Sequence, residues 1–223
     1  MSMTEAIFFD FDGLLVDSEI LKFRTWRDEL GALGVELTMS KWAVEWAGCL
    51  AADSSRSISE RLIPGASSTD RARIEMIIRE RMTASTIELP LAPAIVRWIA
   101  DAKELGLILG MVSNNSITTI TSCLRKNNAT DWFDVLVARE SGATRKPSGA
   151  PYRLALELTG VDSSRAVAFE DSEHGIISAT TAKIRTVLVL GTFSEHLLFR
   201  DADLVISTND SRTLTELLAV IDS

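Results

Sequence analysis

The 223-residue sequence has little cysteine, little positive charge and no long apolar run. Cys49 and Cys123 are its only cysteines, too few for a disulfide framework or a metal-binding cysteine cluster. Lys and Arg number 23 against 31 Asp and Glu, and the formal net charge of −8 argues against binding to nucleic acid or anionic membranes. Neither a signal peptide nor an apolar run of about eighteen residues is found. We therefore expect a cytoplasmic protein without nucleic-acid or membrane partners.

The hydrophobic content of 46% is enough for a substantial core in one large or two small domains. The chain has neither an internal repeat nor a low-complexity tract. His174 and His196 have no other ligand-type residues in a suitable pattern, so we assign them to structure or surface. The tryptophans Trp26, Trp42 and Trp46 are expected to serve packing. We expect a monomer, with a dimer as the alternative.

Hydrophobic periodicity divides the chain into two parts. Apolar positions three and four residues apart, with caps and stops around them, predict only helices between residues 17 and 87. The remainder alternates strands with helices, which implies βαβ units and a parallel sheet. The predicted helices of the first part are 18–33, 41–47 capped by Ser40 and ended by Gly48, a segment from Asp53 to Pro64-Gly65, and one opening at Thr69 or Asp70.

The predicted fold is α/β, with a Rossmann-like parallel sheet core (residues 1–16 and 88–223) and an inserted α-helical cap (residues 17–87). The predicted strands are 6–9, 107–112, 134–138, 166–169, 186–190 and 204–206, and helices at 93–106, 117–126, 151–158 and 174–182 separate the later ones.

Two carboxylates, Asp10 and Asp12, follow the apolar run Ala6-Ile7-Phe8-Phe9 directly. Such a run predicts a fully buried strand of a parallel sheet, and ligands of open α/β sheets bind outside the carboxyl ends of the strands. Two like charges at that place are costly without a counter-charge. The pair therefore predicts a bound divalent cation, Mg²⁺.

Other chemistry-bearing residues follow the predicted strands at the same edge. Ser113 and Asn114 follow the strand 107–112, Glu170 and Asp171 follow the strand 166–169, and Lys146 lies in the loop before Pro147. Each residue alone has a plain alternative, since Ser, Asn, Asp and Glu also cap helices or form turns and most loop lysines are solvated. Together they predict a magnesium-dependent phosphoryl-transfer site.

In this order the motifs resemble those of the haloacid dehalogenase superfamily, and within it the β-phosphoglucomutase-like subfamily with a helical cap. The motifs are Asp10-Phe11-Asp12-Gly13-Leu14-Leu15-Val16-Asp17-Ser18-Glu19, Ser113-Asn114, Lys146-Pro147 and Phe169-Glu170-Asp171-Ser172. The similarity extends from about Ala6 to Ile206.

The resemblance implies a role for each matching residue. Asp10 would be the nucleophile that forms an aspartyl-phosphate, and Asp12 the general acid and base, with its backbone carbonyl on the metal. Ser113 and the Asn114 backbone would hold a phosphoryl oxygen. Lys146 would neutralise the nucleophile and the transferring group, and Asp10, Asp171 and Glu170 would supply metal ligands. The substrate implied is a small phosphate ester.

Departures from the subfamily favour a phosphatase. The mutases carry a cap histidine where this chain has Lys22, and the stretch from Cys49 to Asp53, with Ala51, lacks their phosphate-binding arginine. Asp12 argues against dehalogenation. A halide leaves carbon without being protonated, so that reaction does not need the acid that an alkoxide leaving group needs. Lys183 occupies a place where relatives commonly have glycine. The leading hypothesis is a phosphatase for a sugar-phosphate-like metabolite, and the alternatives are a β-phosphoglucomutase-type mutase or a non-catalytic phosphoryl-binding protein.

Overall fold

The computed structural model describes residues 4–45, 58–191 and 202–222. Six strands form one parallel sheet in the order β3-β2-β1-β4-β5-β6, so the first strand lies in the middle. This sheet with helices around it confirms the predicted Rossmann-like α/β class. The strands are β1 (Ala6–Phe9), β2 (Ile108–Val112), β3 (Val135–Val137), β4 (Ala166–Glu170), β5 (Arg185–Leu190) and β6 (Leu204–Ser207).

Strand β1 is buried along its whole length because the sheet is covered on both faces. Ile7 and Phe9 pack into one apolar cluster, and Ala6 and Phe8 pack into a second cluster on the opposite face. The alternation of side chains along a strand explains this division. A strand with apolar residues on both faces is anchored at the centre of the fold. Asp10 directly follows this strand and therefore lies at the carboxyl edge of the sheet.

The core helices begin where their sequences offer a cap or a proline. Pro93 opens α4, the Ser116 hydroxyl accepts from the Thr119 N–H at the start of α5, and the Ser172 hydroxyl accepts from the Gly175 N–H at the start of α7. The described core helices are α4 (Pro93–Glu104), α5 (Ile117–Lys126), α6 (Ala150–Thr159), α7 (Glu173–Thr181) and α8 (Leu214–Ile221).

The secondary structure described in the part between β1 and α4 is helical apart from isolated bridges that involve Asp12, Val16 and Leu91. Its helices are α1 (Ser18–Gly31), α2 (Met39–Glu45), α3 (Ser68–Ile87) and a short helical stretch at 58–62. These helices share their own apolar cluster, which includes Trp26, Trp42 and Ile78. The chain enters and leaves this part at one place, where the Ala92 N–H donates to the Leu15 carbonyl at 2.8 Å. Residues 16 and 88 stay predicted domain boundaries.

Two helix starts in the helical part differ from the predicted ones, and one core helix was not predicted. Helix α2 begins at Met39, so Ser40 lies inside it, and the Thr38 hydroxyl accepts from the Lys41 N–H at 3.3 Å. Helix α3 begins at Ser68 rather than at Thr69 or Asp70, because Ser67 caps it by accepting from the Asp70 N–H. Helix α8 was not predicted, although Thr213 and Glu216 form a capping box at its start.

Several sequence predictions fall outside the described residues. They concern Trp46, Gly48, His196, the helix start at Asp53, and the loop from Cys49 to Asp53 that contains Ala51. Among the residues described, no helix is long and apolar enough to span a membrane.

Candidate active site

Three neighbouring strands bring polar side chains to one edge of the sheet. Strand β1 lies between β2 and β4, and Phe9 is paired with Met111 on one side and Phe169 on the other. The Asp10 N–H continues this pairing by donating to the Phe169 carbonyl at 3.0 Å. The residues after β1, β2 and β4 therefore converge, as the parallel register requires.

Asp10 lies in a buried ion-pair network. The Lys146 Nζ lies 2.9 Å from the Asp10 Oδ1 and 2.5 Å from the Glu170 Oε1, and all three side chains are almost fully buried. Burial by itself would lower the pKa of Lys146, but the carboxylates of Asp10 and Glu170 raise it above its ordinary value. The ammonium therefore stays charged, and it neutralises part of the negative charge around Asp10.

Asp10, Glu170 and Asp171 form a group that can hold a metal ion. Each offers a carboxylate oxygen, and the three oxygens lie within 4.8 Å of one another. Burial, and then repulsion from the Asp10 carboxylate, raises the pKa of both Glu170 and Asp171. A cation bound to these oxygens would relieve that repulsion.

One oxygen of Glu170 is left for such a cation. Its Oε1 accepts from Lys146 and from the Tyr152 hydroxyl, whereas its buried Oε2 has no hydrogen-bond partner in the structure. A Cβ at Gly175 would overlap this oxygen. Oxygen donors of this kind suit hard cations such as Mg²⁺, so the residues fit the metal that the sequence predicted.

The absence of a side chain at Gly13 allows the Asp171 carboxylate to lie close to the loop after β1. The φ of Gly13, +77°, favours glycine, and a Cβ at this position would overlap the Asp171 carboxylate. A larger residue at position 13 would therefore displace one of the predicted metal ligands.

The Asp12 carboxylate accepts hydrogen bonds from the side-chain amide of Asn115. The Asn115 Nδ2 donates to its two carboxylate oxygens at 3.0 and 3.3 Å, and the Asn115 Oδ1 accepts from the Ser116 N–H. Burial, with the nearby charge of Asp10, raises the pKa of Asp12 to about 6, although hydrogen bonds from Asn115 and Ser18 oppose the shift. A carboxyl of this pKa can give and take a proton near neutral pH. Its side chain does not belong to the Asp10, Glu170 and Asp171 group.

Ser113 and Asn114 present donors beside these carboxylates. The buried Ser113 hydroxyl accepts from the Asn115 N–H at 3.0 Å, which leaves its own proton to donate. The Asn114 side chain instead bonds the backbone of Lys146, through both its amide group and its carbonyl oxygen. The Asn114 backbone N–H has no acceptor among the residues that the structure describes.

The structure brings together all the residues predicted for the site, and it adds two that sequence reasoning missed. Asn115 follows Ser113 and Asn114 at the same strand end, but it was not among the predicted site residues. Tyr152 lies six residues after Lys146 on helix α6, and its ring lies 5.2 Å from the Lys146 Nζ. Nothing local in the sequence signals the Tyr152 contact, because it depends on how α6 packs on the sheet.

These features define an α/β protein with an acidic site, able to hold a cation, at the carboxyl edge of a parallel sheet. A family model described as haloacid dehalogenase-like hydrolase matches residues 7–189 of the chain. The chain therefore belongs to the haloacid dehalogenase-like hydrolases, and the resemblance stated from its motifs is confirmed.

The relatives cover nearly the whole chain. The protein CbbY from Cereibacter sphaeroides is 32% identical over 210 residues, which is 90% of each chain. Hexitol phosphatase B from Escherichia coli K12 is 28% identical over 214 residues, 96% of this chain and 94% of its own. A crystal structure of CbbY from Rhodobacter sphaeroides in complex with phosphate is 30% identical, with a TM-score of 0.76, over 99% of this chain and 100% of the other.

Proposed function

We propose that the chain is a magnesium-dependent phosphatase that hydrolyses a small phosphate ester through an aspartyl-phosphate on Asp10. The observation that carries this proposal is the environment of Asp10. Its carboxylate is paired with the Lys146 ammonium, belongs to a group of three acids that can hold a cation, and lies near an acid of pKa about 6. A nucleophile, a charge-neutralising group and a proton donor are the parts that phosphoryl transfer needs.

The first step is attack of an Asp10 carboxylate oxygen on phosphorus, which breaks the bond to the ester oxygen. The Asp12 carboxyl gives its proton to that leaving oxygen. Lys146, the Ser113 hydroxyl and the Asn114 backbone N–H stabilise charge on the phosphoryl oxygens. Bound Mg²⁺, held by Asp10, Asp171, the Oε2 of Glu170 and the Asp12 backbone carbonyl, would supply further neutralisation of that charge.

The second step is hydrolysis of the aspartyl-phosphate. The Asp12 carboxylate removes a proton from a water molecule, the water oxygen bonds to phosphorus, and the bond to Asp10 breaks. Inorganic phosphate and the Asp10 carboxylate are released, and Asp12 is again protonated. The same carboxyl is thus acid in one step and base in the next.

The relatives support a phosphate-ester substrate. One is named a hexitol phosphatase, and a mutant of CbbY from Rhodobacter sphaeroides has been solved with xylulose-(1,5)bisphosphate at 30% identity to this chain, with a TM-score of 0.73 over 91% of this chain and 93% of the other. Their names differ in substrate, so the substrate of this chain has to come from its own residues.

The experiment is a phosphate-release screen over phosphorylated metabolites with and without Mg²⁺. We expect release that a chelator abolishes and that Asp10→Asn reduces to background, because that change removes the nucleophile. Ca²⁺ should inhibit, since its larger and looser coordination shell misaligns the nucleophile. Activity that survives exhaustive chelation would contradict the proposal.

The same assay separates a phosphatase from a β-phosphoglucomutase-type mutase. With β-glucose 1-phosphate and a bisphosphate primer, a phosphatase releases inorganic phosphate. Stoichiometric formation of glucose 6-phosphate without release would establish the mutase. A protein that binds phosphate esters but turns over none would be the non-catalytic alternative.

A further inference from the structure

Tyr152 contacts one of the acids that can hold a cation and has no role in the steps above. It is the only tyrosine of the chain, it lies in the first turn of helix α6, and it is fully buried. Its hydroxyl donates to the Glu170 Oε1. The Lys146 Nζ donates to the same oxygen at 2.5 Å and lies 5.2 Å from the centre of the Tyr152 ring. Two donors from separate parts of the fold therefore meet at one oxygen of Glu170.

The packing of the Tyr152 ring does not depend on this hydroxyl. The ring belongs to the apolar cluster on one face of the sheet, and its centre lies 6.3 Å from the centre of the Phe8 ring. A phenylalanine would fill the same space. A buried tyrosine hydroxyl needs a hydrogen-bond partner, and here that partner is a carboxylate predicted to bind the metal. What the hydroxyl adds to the fold is therefore a contact with the site.

The two donors saturate the Glu170 Oε1. Each oxygen of an ionised carboxylate has two lone pairs, and at Oε1 Lys146 takes one and Tyr152 takes the other. The buried Oε2 has no donor among the residues that the structure describes. Gly175 leaves room for that oxygen, because a Cβ at this position would overlap it. Glu170 can thus offer a cation one oxygen and not both.

The number of oxygens that a carboxylate offers bears on the choice between Mg²⁺ and Ca²⁺. Ca²⁺ takes about six to eight oxygen ligands in a flexible geometry and accepts a carboxylate through one oxygen or through both. Mg²⁺ is smaller and demands a nearly ideal octahedron. The two oxygens of one carboxylate lie too close together for neighbouring corners of that octahedron. A carboxylate limited to one oxygen therefore suits Mg²⁺ and withholds a ligand from Ca²⁺.

We propose that Tyr152 is a positioning residue whose hydroxyl restricts Glu170 to one metal-binding oxygen and so favours Mg²⁺ over Ca²⁺ at the site. Lys146 cannot do this alone, because its ammonium is shared with the Asp10 Oδ1 at 2.9 Å. Without the hydroxyl, one lone pair of Oε1 becomes free, and the carboxylate can turn both oxygens to a large cation. This inference rests on the metal site of the proposed function.

The first test is Tyr152→Phe, which removes the hydroxyl and keeps the ring with its contacts to Phe8 and Lys146. Calorimetric titration of the substrate-free protein with MgCl₂ and with CaCl₂ gives a Kd for each cation. The Kd for Mg²⁺ should rise about 10-fold, the low end of the effect of removing a partner of a metal ligand, and the Kd for Ca²⁺ should change less than about 3-fold. Equal changes for both cations, or no change, would show that Tyr152 is structural and would overturn the inference.

The second test repeats Tyr152→Phe in a Glu170→Gln protein. A residue that acts only through Glu170 loses its effect once that carboxylate is gone, so the ratio of the two Kd values should then change less than about 2-fold. A change in the ratio as large as in the protein with Glu170 would mean that Tyr152 acts on the cation by another route, and it would overturn the inference.

Thr186→Val is the matched control. It removes another fully buried hydroxyl that contacts a carboxylate, the Asp203 Oδ2 at 3.1 Å, near the amino end of β5. Both Kd values should stay unchanged in this variant.

The unaltered protein provides a test that does not need the variant to fold. It should bind Mg²⁺ more tightly than Ca²⁺, and the reverse order would overturn the inference. The two hypotheses fail in different ways. Phosphate release that survives chelation, in a protein that binds neither cation, contradicts the proposed function. Mg²⁺-dependent release with cation affinities that Tyr152→Phe leaves unchanged contradicts only the role of Tyr152.

Discussion

The raised pKa of Asp12 predicts that this residue destabilises the metal-free protein at neutral pH. Burial and the charge of Asp10 move the pKa from 3.8 to about 6. The folded state therefore binds the Asp12 proton more tightly than the unfolded state, so stability falls as pH rises from about 4 to about 7. Replacing the carboxyl with an amide of the same shape, in Asp12→Asn, removes this cost.

The size of the effect follows from the two pKa values. With about 1.4 kcal/mol for each pKa unit, the ionised Asp12 costs about 3 kcal/mol of unfolding free energy at pH 7.5. At pH 5, where the folded state keeps most of its proton, linkage reduces the cost to about 1.5 kcal/mol. The variant should therefore be more stable than the unaltered protein, and its advantage should halve between pH 7.5 and pH 5.

The assay is urea unfolding of both proteins without divalent cations, at several pH values from 5 to 7.5. Comparing the two proteins at each pH cancels the titration of groups that both contain. Asp131→Asn, at an exposed position, is the control and should show a difference that is small and independent of pH. A variant no more stable than the unaltered protein at pH 7.5, or an advantage that does not change with pH, would contradict a raised pKa of Asp12 in the folded state.

Two further predictions concern Asn115 and Lys183. Asn115→Ala should lower kcat about 10- to 100-fold with little change in KM, because Asp12 loses the amide that positions it. Since that hydrogen bond lowers the Asp12 pKa, the pH-rate limb governed by Asp12 should also move upward. Lys183→Gly should raise the free energy of unfolding by about 1 kcal/mol, because Lys183 has a φ of +62°, a conformation that costs L-residues energy and glycine little.

Each of these predictions has a clear contrary result. An Asn115→Ala protein with normal kcat and an unshifted pH profile would show that Asp12 needs no positioning by this amide. For Lys183→Gly, urea unfolding that shows equal or lower stability would mean that the lysine is accommodated without strain at the end of α7.

The parts of the site that follow from strand ends were predictable from the sequence. The apolar run before Asp10 indicates a buried strand, and the parallel alternation indicates that Ser113 and Glu170 reach the same edge. Both inferences depend on local hydrophobic pattern and on one topological rule, so neither needs the coordinates.

The contacts between side chains from distant elements were not predictable in the same way. The hydrogen bond from Asn115 to Asp12 depends on β1 and β2 being neighbours and on the turn at Ser116. The contact of Tyr152 with Glu170 depends on how α6 packs on the sheet. Helix starts were displaced by one or two residues, as at Ser67, because several neighbouring hydroxyls can serve as the cap.

Chemical trapping of the phosphorylated enzyme tests whether Asp10 is the nucleophile. The protein is mixed with a turned-over, radiolabelled phosphate ester and Mg²⁺, quenched with acid within milliseconds, and reduced with borohydride, which converts an aspartyl-phosphate to homoserine. Attack by Asp10 predicts acid-stable label on the protein before reduction, and homoserine at position 10, with the label lost, after reduction. Release of inorganic phosphate with label on no residue, or on a residue other than Asp10, would contradict it.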